Sequence, residues 1–259
     1  MESATVVSYR PLSERRSVER LLAPLEALAE SSGRFICRSL GSFEQGGLSY
    51  SLPRFVYLGP KGGGDTIRIA VLATLQGDEP EGALALARFV EMLEHNPEIS
   101  KGYALFFYPL CNPTGFEDNT SRSRNGKNLD QEFWRDSTAP EVHYLQSEIW
   151  MHAFDGIITL RSGRESEGFQ GRAAGAILSQ HLLEPALREA EQFLPRGAAI
   201  GSGDPGVLKS PARLRHPPFE ITLRTPRSAP LHRQVDALSA ALQTILVEYR
   251  YLIAIAQNI

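Results

Sequence analysis

The stretch "VLATLQGDEPEGALAL", residues 71–86, decides the fold. An apolar run ends in Gln-Gly-Asp-Glu-Pro-Glu-Gly, and an amphipathic stretch with helical spacing follows with no linker. Pro80 suits the first turn of that helix, where a missing N–H leaves nothing unpaired. A strand that feeds a helix directly is a unit of an α/β sheet, and such sheets collect their functional groups where the strands end. Gln76 and Glu79 stand at that point.

Working outward, "IRIAVLATL" (67–75) and "YALFFYPL" (103–110) are strongly apolar, as expected for central strands covered on both faces. A helix over 80–94 joins them. An earlier helix is predicted over 17–30, where Val18, Leu21, Leu22, Leu25 and Leu28 recur at helical spacing. Strands follow at "RFICRSL" (34–40) and "SLPRFVYLG" (51–59), separated by the turn-rich "GSFEQGGLSY". Gly62, Gly63 and Gly64 read as a loop, since the Lys-Ser/Thr ending of a phosphate-cradling loop is absent. Later come a helix over 140–153, short strands "DGIITL", "AGAILS" and "FEITL", and a long amphipathic helix over 231–256. The alternation predicts one domain over 1–259, a mostly parallel sheet with helices on both faces. Gln76, Cys111, Arg161 and Arg224 then fall at the carboxyl ends of strands.

Composition narrows the function. The 259 residues carry 27 basic and 30 acidic side chains, a formal charge of −3 with no dense basic run, which argues against a nucleic-acid partner. No uninterrupted apolar run reaches the roughly eighteen residues of a membrane span. The N-terminus lacks the basic-then-apolar pattern of a signal peptide. Two cysteines, Cys37 and Cys111, make no disulfide framework. A cytoplasmic protein with no membrane partner is expected; the oligomeric state stays open.

Four segments, in order, resemble the zinc carboxypeptidase family: carboxypeptidase A, its bacterial relatives and the succinylglutamate desuccinylase-like zinc peptidases. "LQGDEPEG" is similar to the His-Gly-x-Glu motif that supplies two zinc ligands. "NPTGFEDNTSRSRNGKNLDQEFW" resembles the family's Asn-Pro-Asp-Gly stretch running into Asp-Leu-Asn-Arg-Asn-Phe. "DGIITLRSG" matches the strand that ends in the third ligand, a His, and "PFEITLRTP" the one carrying the catalytic Glu. The resemblance implies a three-layer α/β/α domain around a mixed, mostly parallel, twisted sheet.

The same alignment implies that the chemistry is gone. Gln76 stands at the first ligand position, with a neutral amide oxygen far weaker toward zinc than imidazole. Glu79 is retained. The third ligand position is Arg161, whose guanidinium has no acceptor lone pair. It would also repel the ion: two charges against one at about 5 Å, with an effective dielectric near 20, cost about 6 kcal/mol. Arg224 holds the general-base position and cannot take a proton from water. Asp130 and Gln131 align with the Asn-Arg pair that grips a substrate carboxylate. The oxyanion arginine falls near Ser121, beside Arg122, and no Tyr lies between Asp155 and Thr244.

The substitutions balance in charge, so Arg161 is expected to replace the metal and pair with Glu79. No metal and no cofactor are expected, and Arg122, Asp130, Gln131 and Arg164 are the candidate pocket residues. The resulting expectation is a non-catalytic binding or regulatory pseudoenzyme with a pocket for a small anionic or peptide-like ligand. The alternative is a residual metallocarboxypeptidase or amidohydrolase-type hydrolase. A third reading, a partner-binding protein with a closed pocket, would show as exposed apolar surface on the last helix. Glu220 lies about 13 Å from Arg224 at strand rise, too far to substitute as base. Cys111 reads as a buried structural thiol and the basic loop 121–127 as solvated.

Overall fold

The computed structural model describes residues 15–163, 168–198, 207–208 and 218–257, with side chains placed to residue 255. Helix α1 (Val18–Ser31) opens on Ser17, whose side chain accepts from the Arg20 amide, and buries Leu21, Leu22 and Leu25. Strands β1 (Phe35–Gln45) and β2 (Leu48–Leu58) form a hairpin. Its turn is the pair Gly46–Gly47, at φ 60° and 74°, the left-handed geometry that a two-residue hairpin demands. The stretch expected to be turn-rich is therefore mostly strand, with one irregularity between Ser39 and Ser42.

The centre follows as β3 (Ile67–Leu72), α2 (Glu81–His95) and β4 (Tyr103–Tyr108), then the short helices α3 (Pro113–Asp118) and α4 (Leu129–Glu132). Helix α5 (Pro140–His152) leads to β5 (Gly156–Gly163) and β6 (Gln170–Ala173). Residues 176–178 form α6 (Ala176–Leu178), which runs through a π-helical turn into α7 (Glu184–Ala190). "AGAILS" is thus not a strand: Gly175, at φ 89°, ends β6 and starts this helix. Strand β7 (Phe219–Pro226) and helix α8 (Leu231–Gln257) complete the chain.

The sheet order is β1-β2-β4-β3-β5-β7-β6. Strands β4, β3, β5 and β7 are mutually parallel, while β1, β2 and β6 pair antiparallel at the two edges. Alternation along the strands divides two cores. Ile69, Val71, Leu105, Phe107, Ile158, Leu160, Ile221 and Leu223 face α1, α2, α7 and α8. Ala70, Leu72, Ala104, Phe106, Tyr108 and Ile157 face α5. The expected three layers are present.

Helix α8 buries Ala237, Leu238, Ala241, Leu242, Ile245 and Leu246 in the first core. It is also, by length and composition, apolar enough over Leu231–Ile255 to cross a membrane. Interruptions by single polar residues hide this from a search for unbroken apolar runs.

Candidate functional site

Three parallel strand ends and one loop build a cleft of about 330 Å³. After β3 the chain turns through Thr74, a β-branched residue at φ 53°, a backbone region such residues rarely occupy. Its hydroxyl is buried with no hydrogen-bond partner among the described residues. The next turn is pinned from two sides. Asn112 donates to the Leu75 carbonyl (3.2 Å) and accepts from the Gly115 amide (2.9 Å). Gly77 lies so close to the α3 backbone that a Cβ there would fall 2.0 Å from the Gly115 carbonyl carbon. This loop delivers Gln76, Asp78 and Glu79 to the mouth of the sheet.

Arg161, at the end of β5, reaches across to that loop. Its Nε donates to Glu79 Oε2 at 2.8 Å, and its Nη1 lies 2.8 Å from Asp130 Oδ2. Gln76 Nε2 donates to the same Asp130 oxygen at 3.2 Å. Arg161 is 8% exposed and Glu79 3%, so the pair is withdrawn from water. Burial pushes the Glu79 carboxyl up to about 7 against the pull of Arg161, and neighbouring Asp130 adds to the rise.

Arg224 is the register neighbour of Arg161 on β7 and lines the cleft. Two guanidiniums side by side on one face repel, and the surrounding carboxylates offset this. Sequence reasoning missed a second ion pair beside the first. Arg227, just past the end of β7, donates to Asp78 Oδ2 at 2.8 Å and comes within 3.7 Å of Glu79 Oε1. Glu79 is therefore held at both oxygens. The available signal was positional: Arg227 follows Arg224 by three residues, opposite a loop with two carboxylates.

The other candidates scatter. Arg122 is exposed and donates to the Gly126 carbonyl at 2.9 Å within its own turn. Gln131 is exposed on α4, and Arg164 lies outside the described residues. Ser121, Ser162 and Gly163 line the cleft instead. Loop 121–127 is exposed at Ser121, Arg122 and Asn125, but Arg124 is buried, with Nε 2.8 Å from Asp118 and Nη2 3.0 Å from Glu117. Glu220 sits at the far end of β7, accepting from the Leu208 amide. Cys111 is fully buried, its thiol pushed far up by desolvation.

The donor set does not suit zinc. Arg161 has no lone pair, and Gln76 points an amide N–H at Asp130. Among the described residues, no three His, Cys, Asp or Glu side chains gather where they could hold a metal ion. The face turned to the cavity carries three guanidiniums, Arg161, Arg224 and Arg227, with the carboxylates of Asp78 and Glu79, and Asp130 behind Arg161 makes a third carboxylate.

No family model matches the sequence, and no curated protein matches it either. Solved structures do. A metallo-carboxypeptidase from Burkholderia cenocepacia superposes with a TM-score of 0.74 at 15% identity, over 92% of this chain and 70% of that one. One from Pseudomonas aeruginosa, in complex with (2-guanidinoethylmercapto)succinic acid, gives 0.70 at 15%, over 90% and 69%. A Shewanella amazonensis SB2B protein assigned to the metallopeptidases gives 0.70 at 20%, over 89% and 92%. With a seven-stranded mixed sheet and the cleft at its parallel strand ends, this chain has the metallo-carboxypeptidase fold.

Proposed function

We propose that the protein is a non-catalytic binding or regulatory module on the carboxypeptidase fold, whose cleft takes a small anionic or peptide-like ligand. One observation carries the reading: Arg161 bridges Glu79 and Asp130 at 2.8 Å each, where a metallopeptidase needs metal donors. A guanidinium held this way supplies neither an electrophile nor a base, but it fixes a charged wall. The guanidinium N–H groups of Arg224 and Arg227 on that wall suit an anionic group, and the neighbouring Ser121 and Ser162 add hydroxyls for hydrogen bonding.

The test has two arms on the purified chain. Metal content is measured after incubation with excess zinc and removal of the unbound ion, and melting temperature is screened against small dicarboxylates, phosphates and short peptides. The reading expects no stoichiometric zinc and a raised melting temperature with one anionic class, lost in Arg224→Ala. One zinc per chain that disappears in Glu79→Ala would overturn it in favour of a residual metallohydrolase.

A further inference from the structure

The triple glycine Gly62–Gly64 has no part in the cleft, and the fold asks for only one of the three. A Cβ at Gly62 would fall 2.9 Å from the Gly102 Cα, but one at Gly63 or Gly64 meets nothing within 4 Å among the described residues. Neither of these two lies in the left-handed backbone region that favours glycine. Their bare backbone instead borders a cavity of about 470 Å³. Lys101, Asp155 and, from α8, Arg250, Ile253 and Ala254 close it. The cavity stands at the amino ends of the parallel strands and the cleft at their carboxyl ends, so the six residues of β3 separate the two by about 20 Å.

Two charged groups in this cavity are fixed in place by the backbone and have no counter-ion. Arg250 is half-buried, and its Nη1 donates to the Glu98 carbonyl at 2.9 Å and the Lys101 carbonyl at 3.5 Å. That anchors the guanidinium against the turn Pro97–Ser100, yet it makes no ion pair among the described residues. Asp155 accepts from the Arg68 amide at Oδ2, 2.7 Å, and its own amide donates to the Arg68 carbonyl at 2.8 Å. Its carboxylate likewise pairs with no cation among the described residues, Arg250 included. Groups held this way need not be pulled from a charged partner, nor ordered, before they meet a ligand. Lys101 differs, because Glu98 holds its Nζ at 3.2 Å.

Over the whole lining the charges balance, Lys101 and Arg250 against Asp65 and Asp155. A balanced lining favours neither a plain anion nor a plain cation. It suits a molecule that carries both charges on one short frame. Ile67, Ile253 and Ala254 add an apolar wall beside them.

We propose that this cavity is a second ligand site and takes a small zwitterion with an apolar side chain, a free aliphatic amino acid. The ligand carboxylate meets the N–H groups of Arg250 that the backbone does not use, in the planar fork that matches a carboxylate. The ligand ammonium meets Asp155 Oδ1, and the side chain lies on the apolar wall. With no side chains at 63 and 64, the ligand can come close to the backbone of that loop. Concave sites of this kind bind through an apolar surface and a few placed polar groups, and here the two opposite charges set the orientation. The site shares no residue with the cleft, so it stands whether or not the cleft binds an anion.

Calorimetric titration of the full chain tests this with L-valine, L-leucine, L-isoleucine and L-methionine, each beside the amine and the carboxylic acid that keep its side chain. Expected is one site per chain with a Kd below about 1 mM for at least one amino acid. Its amine and its acid bind about fivefold more weakly or worse. Asp155→Asn keeps an oxygen for the Arg68 amide, removes the charge and weakens binding about fivefold. Arg250→Gln removes the fork and weakens it about tenfold. Melting curves check folding, and Asp155→Asn alone carries the test if Arg250→Gln melts early. No binding of any of the four up to about 10 mM overturns the proposal, as does affinity unchanged in Asp155→Asn. Equal affinity for the acid alone overturns it in favour of a plain anion site. Binding lost in Arg224→Ala but kept in Asp155→Asn overturns it by placing the amino acid in the cleft.

Discussion

Replacing Arg161 with Met keeps an unbranched stem and removes the guanidinium with its charge. Two carboxylates lose a partner at 2.8 Å, and Glu79 is almost wholly buried. Breaking a buried pair by deleting one member costs about 3–5 kcal/mol, because the remaining charge is left in a medium that cannot solvate it. That is a large share of the roughly 5–15 kcal/mol that holds a typical domain folded. For a chain of this size it lowers the melting temperature by about 6–20 °C. The loss depends on pH. Without Arg161 the Glu79 carboxyl rises further above its ordinary range, so the folded state holds its proton more tightly than the unfolded state. The penalty grows as pH rises above the ordinary carboxylate range and fades as pH falls toward it. Urea unfolding of wild type and Arg161→Met at pH 5 and pH 8 measures both effects. A loss below about 1 kcal/mol at pH 8, or one that is larger at pH 5, would show that Arg161 is not the electrostatic centre of this site.

Three further outcomes follow from the geometry. Glu141, buried in the first turn of α5, has its carboxyl pushed up to about 7 by desolvation, so its penalty appears as pH rises from about 4.5 to 7; Glu141→Gln gains up to about 3 kcal/mol over wild type at pH 8 and nothing near pH 4.5, by urea unfolding. Gly77→Ala forces the ligand-position loop away from the α3 backbone and costs about 1–3 kcal/mol, read as a lowered melting temperature. Gln76→His with Arg161→His, keeping Glu79, sets three metal donors at these two strand ends; calorimetric titration should find one zinc per chain, and its absence would show that the motif alignment misassigns the ligand positions.

The sheet centre was legible because β3 and β4 are apolar on both faces and their lengths fit strands. Arg161 and Arg224 were placed at strand ends for the same reason, and their register pairing follows from counting residues from the strand starts. The rest of the site required tertiary contact. Asp130 stands 31 residues before Arg161, and only the fold makes it the second half of that guanidinium's cage. Arg227 and Asp78 are 149 positions apart, and no periodicity connects them. Arg124 looked like one charge in a solvated loop because its partners, Asp118, Glu117 and Tyr50, come from two other segments. The hairpin was misjudged for a local reason: Gly, Ser and Gln suggest a turn, while pairing with β2 holds them extended.

The double grip of Arg161 on Glu79 and Asp130 also bears on ancestry and descent. A metal site and this arrangement are separated by several substitutions, and the steps between them are not neutral. Any chain that loses Arg161 leaves Glu79 with only the more distant Arg227 and Asp130 with only the Gln76 amide, whereas a chain that loses Glu79 keeps the Arg161–Asp130 pair. Selection on foldedness alone would disfavour the loss of Arg161. The bridge therefore acts as a ratchet: once set, it is hard to replace one residue at a time. Chains descended from this one should vary at Gln76 and Gln131 well before they vary at Arg161.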